Sequence, residues 1–187
     1  MLIFLISLMK QINTLKEYIY WSYANLGMAH AAIGMGDVKY KRIHFMIRAK
    51  MYKGFVSGSM SIASLVDDEK NKIKQGAYCS YCLSADNLSL DHLVPKFLGG
   101  ENVAENIVCS CRNCNSSKGK RDLLEWYVVR NEFPPLMILR RYLKLAIRYI
   151  EDNDLADYPI ADIKSLCTPF RFDLVPLEYP EPSVLRL

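Results

Sequence analysis

The sequence has no apolar stretch long enough to cross a bilayer, no internal repeat and no low-complexity tract. Its one marked apolar run, Met1 to Met9, is broken by Ser7 and closed by Lys10. That is less than half of the roughly twenty residues a membrane span requires. Export is poorly served as well: the basic residues follow the run instead of preceding it, and Ala29 to Ala32 lies too far downstream to serve as a cleavage site. The expectation is a buried or partner-facing helix, with no membrane and a cytoplasmic, reducing setting. Neither sign of charge is in large excess. The net charge is +4 and the pI about 8.7, which permits a polyanionic partner without demanding one. Histidine is scarce, at three residues, so imidazole chemistry must fall on His30, His44 or His92.

What is present reads as ordinary globular protein: 187 residues, 51% hydrophobic and 24% charged. That suffices for one domain, or a compact unit with helical flanks. Residues 2 to about 33 lack proline and place Ile12, Leu15, Ile19, Tyr23 and Leu26 near a helical period. Gly34 and Gly36 end that pattern. Asp37 to Phe55 reads as a second amphipathic helix with a basic face, and a Gly/Ser-rich stretch at 57–61 separates it from a short helix or linker over Ile62 to Lys74. Beyond residue 120, Asp122 to Arg130 continues a helix that Pro134-Pro135 stops. Leu136 to Ile150 sets Arg140, Arg141, Lys144 and Arg148 against Ile138, Leu139, Leu143 and Ile147. The last thirty residues carry five prolines and read as an extended tail that packs on the chain or joins a partner.

The six cysteines are arranged for metal instead of disulfides. Cys79-x-x-Cys82 and Cys111-x-x-Cys114 are separated by 28 residues. Two residues between thiolates let both sulfurs reach one ion from a tight turn, and two such turns make a closed tetrahedral zinc shell. Such an ion is structural, holding a segment too short to build its own core. As four thiolates around zinc, these residues would lower the net charge to about +2. Cys109 reads as a strand cysteine and Cys167 as a buried free thiol.

Between the cysteine pairs, Leu88 to His92 alternates like a strand and ends in an adjacent carboxylate and imidazole. Val94-Pro95 turns the chain, Gly99-Gly100 loosens it, and Asn106 to Cys109 reads as a returning strand before a helix from Cys111 to about Arg130. Phosphodiester hydrolysis needs a base near neutral pH and a cation to neutralise developing charge, and an imidazole beside a carboxylate supplies the protein's part of both.

Taken in order, Cys79-x-x-Cys82, Asp91-His92, Pro95, Gly99-Gly100, Glu105-Asn106, Cys111-x-x-Cys114-Asn115 and Lys118 resemble the HNH (McrA-like) endonuclease family, over about 40 residues. The resemblance implies an α+β fold: a treble-clef-like ββα-metal core with mostly helical flanks, here divided as 1–75, 76–131 and 132–187. It implies a DNA-cleaving hydrolase with structural Zn²⁺ and catalytic Mg²⁺ or Mn²⁺. By position, His92 becomes the general base, Asp91 and Asn115 the ligands of the catalytic ion, and Asn106 the residue that orients His92 by a hydrogen bond. The motif is therefore an H-N-N variant. Arg112, Lys118, Lys120 and Arg121 are expected to grip the substrate backbone. DNA is the expected partner, with RNA left open, and the N-terminal helix or proline-rich tail is expected to meet a protein partner or a second copy. The implied setting is a defence or mobile-element system. The alternatives are a non-catalytic zinc-knuckle nucleic-acid-binding module and a zinc-stabilised interaction protein. Outside the motif, His30 reads as a packing histidine and His44 as part of a solvated basic face. The cluster of Tyr18, Tyr20, Trp21 and Tyr23 reads as core or interface.

Overall fold

The computed structural model describes residues 12–62, 65 and 78–187. The expected start of the first helix, and the short helix or linker after Ile62, lie outside these residues apart from Leu65.

Helix α1 spans Leu15–Gly34. Thr14 fixes its start: the hydroxyl accepts from Glu17 N at 3.2 Å, and the Glu17 carboxylate accepts in return from Thr14 N at 3.3 Å. This reciprocal cap satisfies two of the amides that a helix start leaves open. Thr14 also bridges Pro159, so the chain just before α1 is extended where helix was expected. Leu15, Ile19, Leu26 and Ala29 are buried on one side, and Trp21 and Met28 on another. The aromatic cluster is thereby committed mainly to the core. His30 departs from expectation: it stands exposed, because the buried face of α1 turns away from it.

Helix α2, Arg42–Val56, packs on α1. It begins later than expected because Gly36 turns the chain at φ +72° and the His44 ring caps the helix. Nδ1 of His44 accepts from Lys41 N at 2.9 Å, in the role usually taken by a glutamate. Its Nε2 lies 3.3 Å from Asp37 Oδ2. His44 is fully buried, which corrects its assignment to the solvated face. That face consists of Lys39, Arg42, Lys50 and Lys53, all exposed.

The cysteine-rich segment supplies the sheet. Strands β1, Leu88–His92, and β2, Ile107–Cys111, pair antiparallel with Asp91 opposite Val108 and His92 opposite Ile107. Helix α3, Arg112–Lys118, follows β2 directly and packs on both strands. It does not continue to Arg130. Gly119, at φ +55°, ends it, and Asp122 starts α4, Leu123–Val129, by accepting from Leu124 N at 2.7 Å. The result is an α+β chain with a ββα unit between helical flanks.

Helix α5, Leu136–Asp152, lies along α1. Arg141 and Lys144, expected on its solvated side, are buried, and Arg141 Nη1 donates to the Glu105 carbonyl at 3.2 Å. The proline-rich tail folds back over α1 instead of leaving the molecule. Tyr18 Oη donates to the Val175 carbonyl at 3.0 Å, and Trp21 Nε1 to the Leu177 carbonyl at 3.1 Å. Among the described residues, α1 and the tail, both expected to meet a partner, therefore pack on each other; the apolar run at 1–9 lies outside them. One buried cluster joins Leu15 and Ile19 of α1, Leu93 and Val108 of the hairpin, Trp126 of α4, and Leu139 and Tyr142 of α5. The hairpin is thus braced from behind by the helical flanks. Among the described residues, no helix is long and apolar enough to cross a membrane.

Candidate active site and metal centre

Two tight turns build the cysteine cluster. Leu83 N donates to Cys79 O at 2.8 Å, closing the first, and Leu83 takes φ +64° to do so. Ser80 N donates to Cys109 O at 2.8 Å, which fastens this turn to β2. The second turn is the start of α3, where Cys114 N lies 3.4 Å from Cys111 Sγ. All four sulfurs fall within 4.8 Å of one another, and Cys82 and Cys111 are 3.7 Å apart. A tetrahedral shell with Zn–S bonds of about 2.3 Å requires sulfurs about 3.8 Å apart. The donor set and its spacing therefore suit zinc. Burial raises the Cys79 thiol, but backbone amides at Cys111, Cys82 and Tyr81 outweigh it and bring the pKa to about 7. Burial and the neighbouring thiols push Cys114 upward. Four thiols this close are uncomfortable together without a cation, which is what a metal site looks like from the protein side. Cys167 lies outside the cluster and is exposed, contrary to its reading as a buried thiol.

Three residues along β1 from Leu88, which faces Cys111, lies the second cluster of polar groups. Asp91 is only 7% exposed, and its Oδ2 accepts from Tyr81 Oη at 2.7 Å. The Lys118 ammonium sits 3.0 Å from the same oxygen and donates to the His92 carbonyl at 2.7 Å. Lys118 is fully buried, so the structure does not place it on the surface with the other residues expected to hold the backbone. The reason is local. As the last residue of α3, immediately before Gly119, it turns its side chain inward to the hairpin, where a buried carboxylate needs a counter-charge. Burial lowers the Lys118 pKa, while Asp91 and Asp122 hold it up. Arg112, Lys120 and Arg121 are exposed, with the Lys120 ammonium 4.6 Å from the Phe97 ring centroid.

Asn115 projects from α3 toward β1, where its Nδ2 donates to Ser89 Oγ at 3.1 Å and to the Leu90 carbonyl at 3.0 Å. With the amide nitrogen so committed, the oxygen is the atom it offers. Asn106 is placed differently from expectation. Its Oδ1 accepts from Val94 N at 2.8 Å, while Nδ2 donates to Val94 O at 2.9 Å and to Glu101 O at 2.8 Å. These bonds staple the loop after His92 and do not go to the imidazole. The ring is met by a residue that sequence reasoning missed: Asn102 Oδ1, 2.8 Å from His92 Nε2. Tyr81 was missed too, although its position inside the first cysteine pair ties it to the site.

A hairpin and short helix closed by four clustered cysteines, with a half-exposed imidazole one residue after a buried carboxylate, give this segment a ββα-metal fold. Residues 77–123 match the HNH endonuclease family. The chain is also similar to a CRISPR-associated endonuclease Cas9 of Corynebacterium diphtheriae, at 37% identity over 57 residues. That match covers 28% of this chain and 5% of the relative, so the chain spans about a twentieth of the length of the curated relative it matches. No solved structure matches it. Residues 77–123, which hold the four-cysteine cluster, are thus similar to HNH endonucleases.

Proposed function

We propose that this protein is a metal-dependent endonuclease that hydrolyses DNA phosphodiester bonds, with His92 as general base. The observation that carries this reading is the placement of a half-exposed imidazole at the end of β1, one residue after an Asp91 carboxylate that is buried and ion-paired, with Asn115 bonded to the same strand at Ser89 and Leu90. Asp91 and Asn115 present hard oxygen donors, which suit Mg²⁺ or Mn²⁺ over softer metals. Bound there, the ion supplies charge neutralisation at the phosphoryl and leaving oxygens. The protein's own part is to orient the imidazole, hold Asp91 in place through Lys118, and hold the substrate backbone with Arg112, Lys120 and Arg121. Asn106 serves by fixing the loop. A structural Zn²⁺ held by Cys79, Cys82, Cys111 and Cys114 keeps hairpin and helix in register. The similarity to a CRISPR-associated endonuclease supports a defence or mobile-element setting, and a thiol-rich metal cluster supports a reducing, cytoplasmic one. Tyr18 and Trp21 of α1 are bonded to the tail, and DNA is the principal partner in this reading.

One observation favours the rival reading, a zinc-knuckle binding module without cleavage: the Lys118 ammonium already neutralises Asp91. Supercoiled plasmid incubated with the protein and Mg²⁺ or Mn²⁺ separates the two, with EDTA and a single-stranded RNA substrate as parallel arms. Metal-dependent nicking of plasmid is expected. DNA binding without cutting under either metal would favour the binding module, and preferential cutting of RNA would reassign the substrate.

A further inference from the structure

His92 Nε2 lies 2.8 Å from Asn102 Oδ1. An amide carbonyl accepts hydrogen bonds and never donates them. A hydrogen bond here therefore requires the proton on Nε2, which leaves the lone pair on Nδ1. Asn102 is itself held. The Glu101 carbonyl immediately before it accepts from Asn106 Nδ2 at 2.8 Å, and Asn106 is 2% exposed. The same side chain bridges both backbone groups of Val94, while Leu93 N donates to the Asn106 carbonyl at 2.8 Å. Gly100 N closes the intervening turn onto Pro95 O at 3.0 Å, and a Cβ at Gly100 would overlap the Val94 carbonyl. Both ends of the His92–Asn102 contact are thus anchored to one buried asparagine.

From these contacts we infer that Asn102 is a positioning residue that fixes His92 as the Nε2–H tautomer, so that Nδ1 takes the proton from the attacking water. Asn106 then orients the imidazole through Asn102 and not by touching it. The inference rests on His92 being the general base. In the step it serves, the water O–H bond breaks toward Nδ1 as the oxygen bonds to phosphorus. The P–O bond to the leaving strand breaks, and solvent protonates the leaving oxygen. The imidazolium so formed keeps its Nε2–H bond to Asn102, which holds the ring still throughout.

The test compares Asn102→Leu, which removes the acceptor at similar size, with Asn102→Asp, which restores one. The direct readout is ¹⁵N NMR of histidine-labelled protein at a pH where the rings are neutral, with His92 assigned by its loss in His92→Ala. Wild type is expected to show the Nε2–H tautomer, and Asn102→Leu a mixture. Plasmid cleavage should lose kcat on the order of 10-fold to 100-fold in Asn102→Leu with KM unchanged, the range seen when an outer partner of a functional imidazole is removed. Asn102→Asp should stay within a few-fold of wild type. An Nδ1–H tautomer in wild type overturns the inference even if Asn102→Leu fails to fold. Wild-type kcat in Asn102→Leu, with His92→Ala inactive, overturns it as well. Full activity in His92→Ala would instead remove the base reading beneath it.

Discussion

The Lys118 ammonium lies 3.0 Å from Asp91 Oδ2 and 2.7 Å from the His92 carbonyl, so one buried cation touches two successive residues of β1. A lysine that looks in sequence like a phosphate contact is a strut between α3 and the strand that carries the chemistry. Removing it should act on stability first. Lys118→Met leaves a buried carboxylate with Tyr81 as its remaining named partner, and should cost about 3 kcal/mol. The loss is readable as a lowered urea midpoint. Lys120→Ala and Arg121→Ala should leave that midpoint unchanged. Each should instead weaken DNA binding and reduce the slope of log K against log salt by about 1. The reverse pattern would return Lys118 to the surface role.

Metal removal probes the cysteine cluster. Purified protein should contain one zinc per chain, and Cys82→Ser or a strong chelator should abolish it. The turns at Cys79 and Cys111 are short and held by only a few backbone hydrogen bonds, so the melting temperature should fall by about 10 °C or more. Wild-type protein that folds fully without zinc would contradict this account.

Gly100 tests the loop. A Cβ there would overlap backbone at Val94, which cannot yield as a flexible side chain can. Gly100→Ala should cost about 2 kcal/mol or more. It should also lower kcat through displaced Asn102, with zinc content intact. Unchanged stability and rate would show that the loop tolerates rearrangement.

Asp122 gives a pH signature. Its carboxylate is fully buried, and burial raises its pKa above 3.8 despite hydrogen bonds from Tyr142 and the start of α4. A carboxyl whose pKa is raised on folding binds its proton more tightly in the folded state. The stability it contributes is full below 3.8 and lost as pH rises through the folded pKa. Wild type should therefore gain on Asp122→Asn as pH falls from 7 toward 4, measured as the difference in melting temperature at each pH. A gap moving the other way would mean that the hydrogen bonds, not burial, dominate.

The motif was legible because its chemistry is local. Paired cysteines two residues apart, an Asp-His pair and a Gly-Gly turn constrain one another along the chain, and β1, β2 and the sulfur cluster fall close to where they were expected. What the sequence concealed depends on contacts across the fold. His44 reads as one more residue of a basic helix until Asp37 and the Lys41 amide close on it. Lys118 differs from Lys120 in being the last residue of α3, where its side chain is buried, while Lys120 lies exposed beyond Gly119. Asn102 carries no mark that distinguishes it from any polar loop residue, since its role exists only where the loop brings it to His92. The tail's destination on α1 was hidden for the same reason: prolines announce extended chain but not what the chain lies against.

The central claim, that His92 performs base catalysis in a metal-dependent nuclease, is tested most directly by the rate of plasmid cleavage in Mg²⁺ or Mn²⁺ by His92→Ala beside wild type at matched zinc content. The account predicts that the variant binds DNA and zinc as wild type does but cuts slower by a factor of about 100 or more, the scale of lost general-base catalysis. Equal cleavage by the two proteins would contradict it.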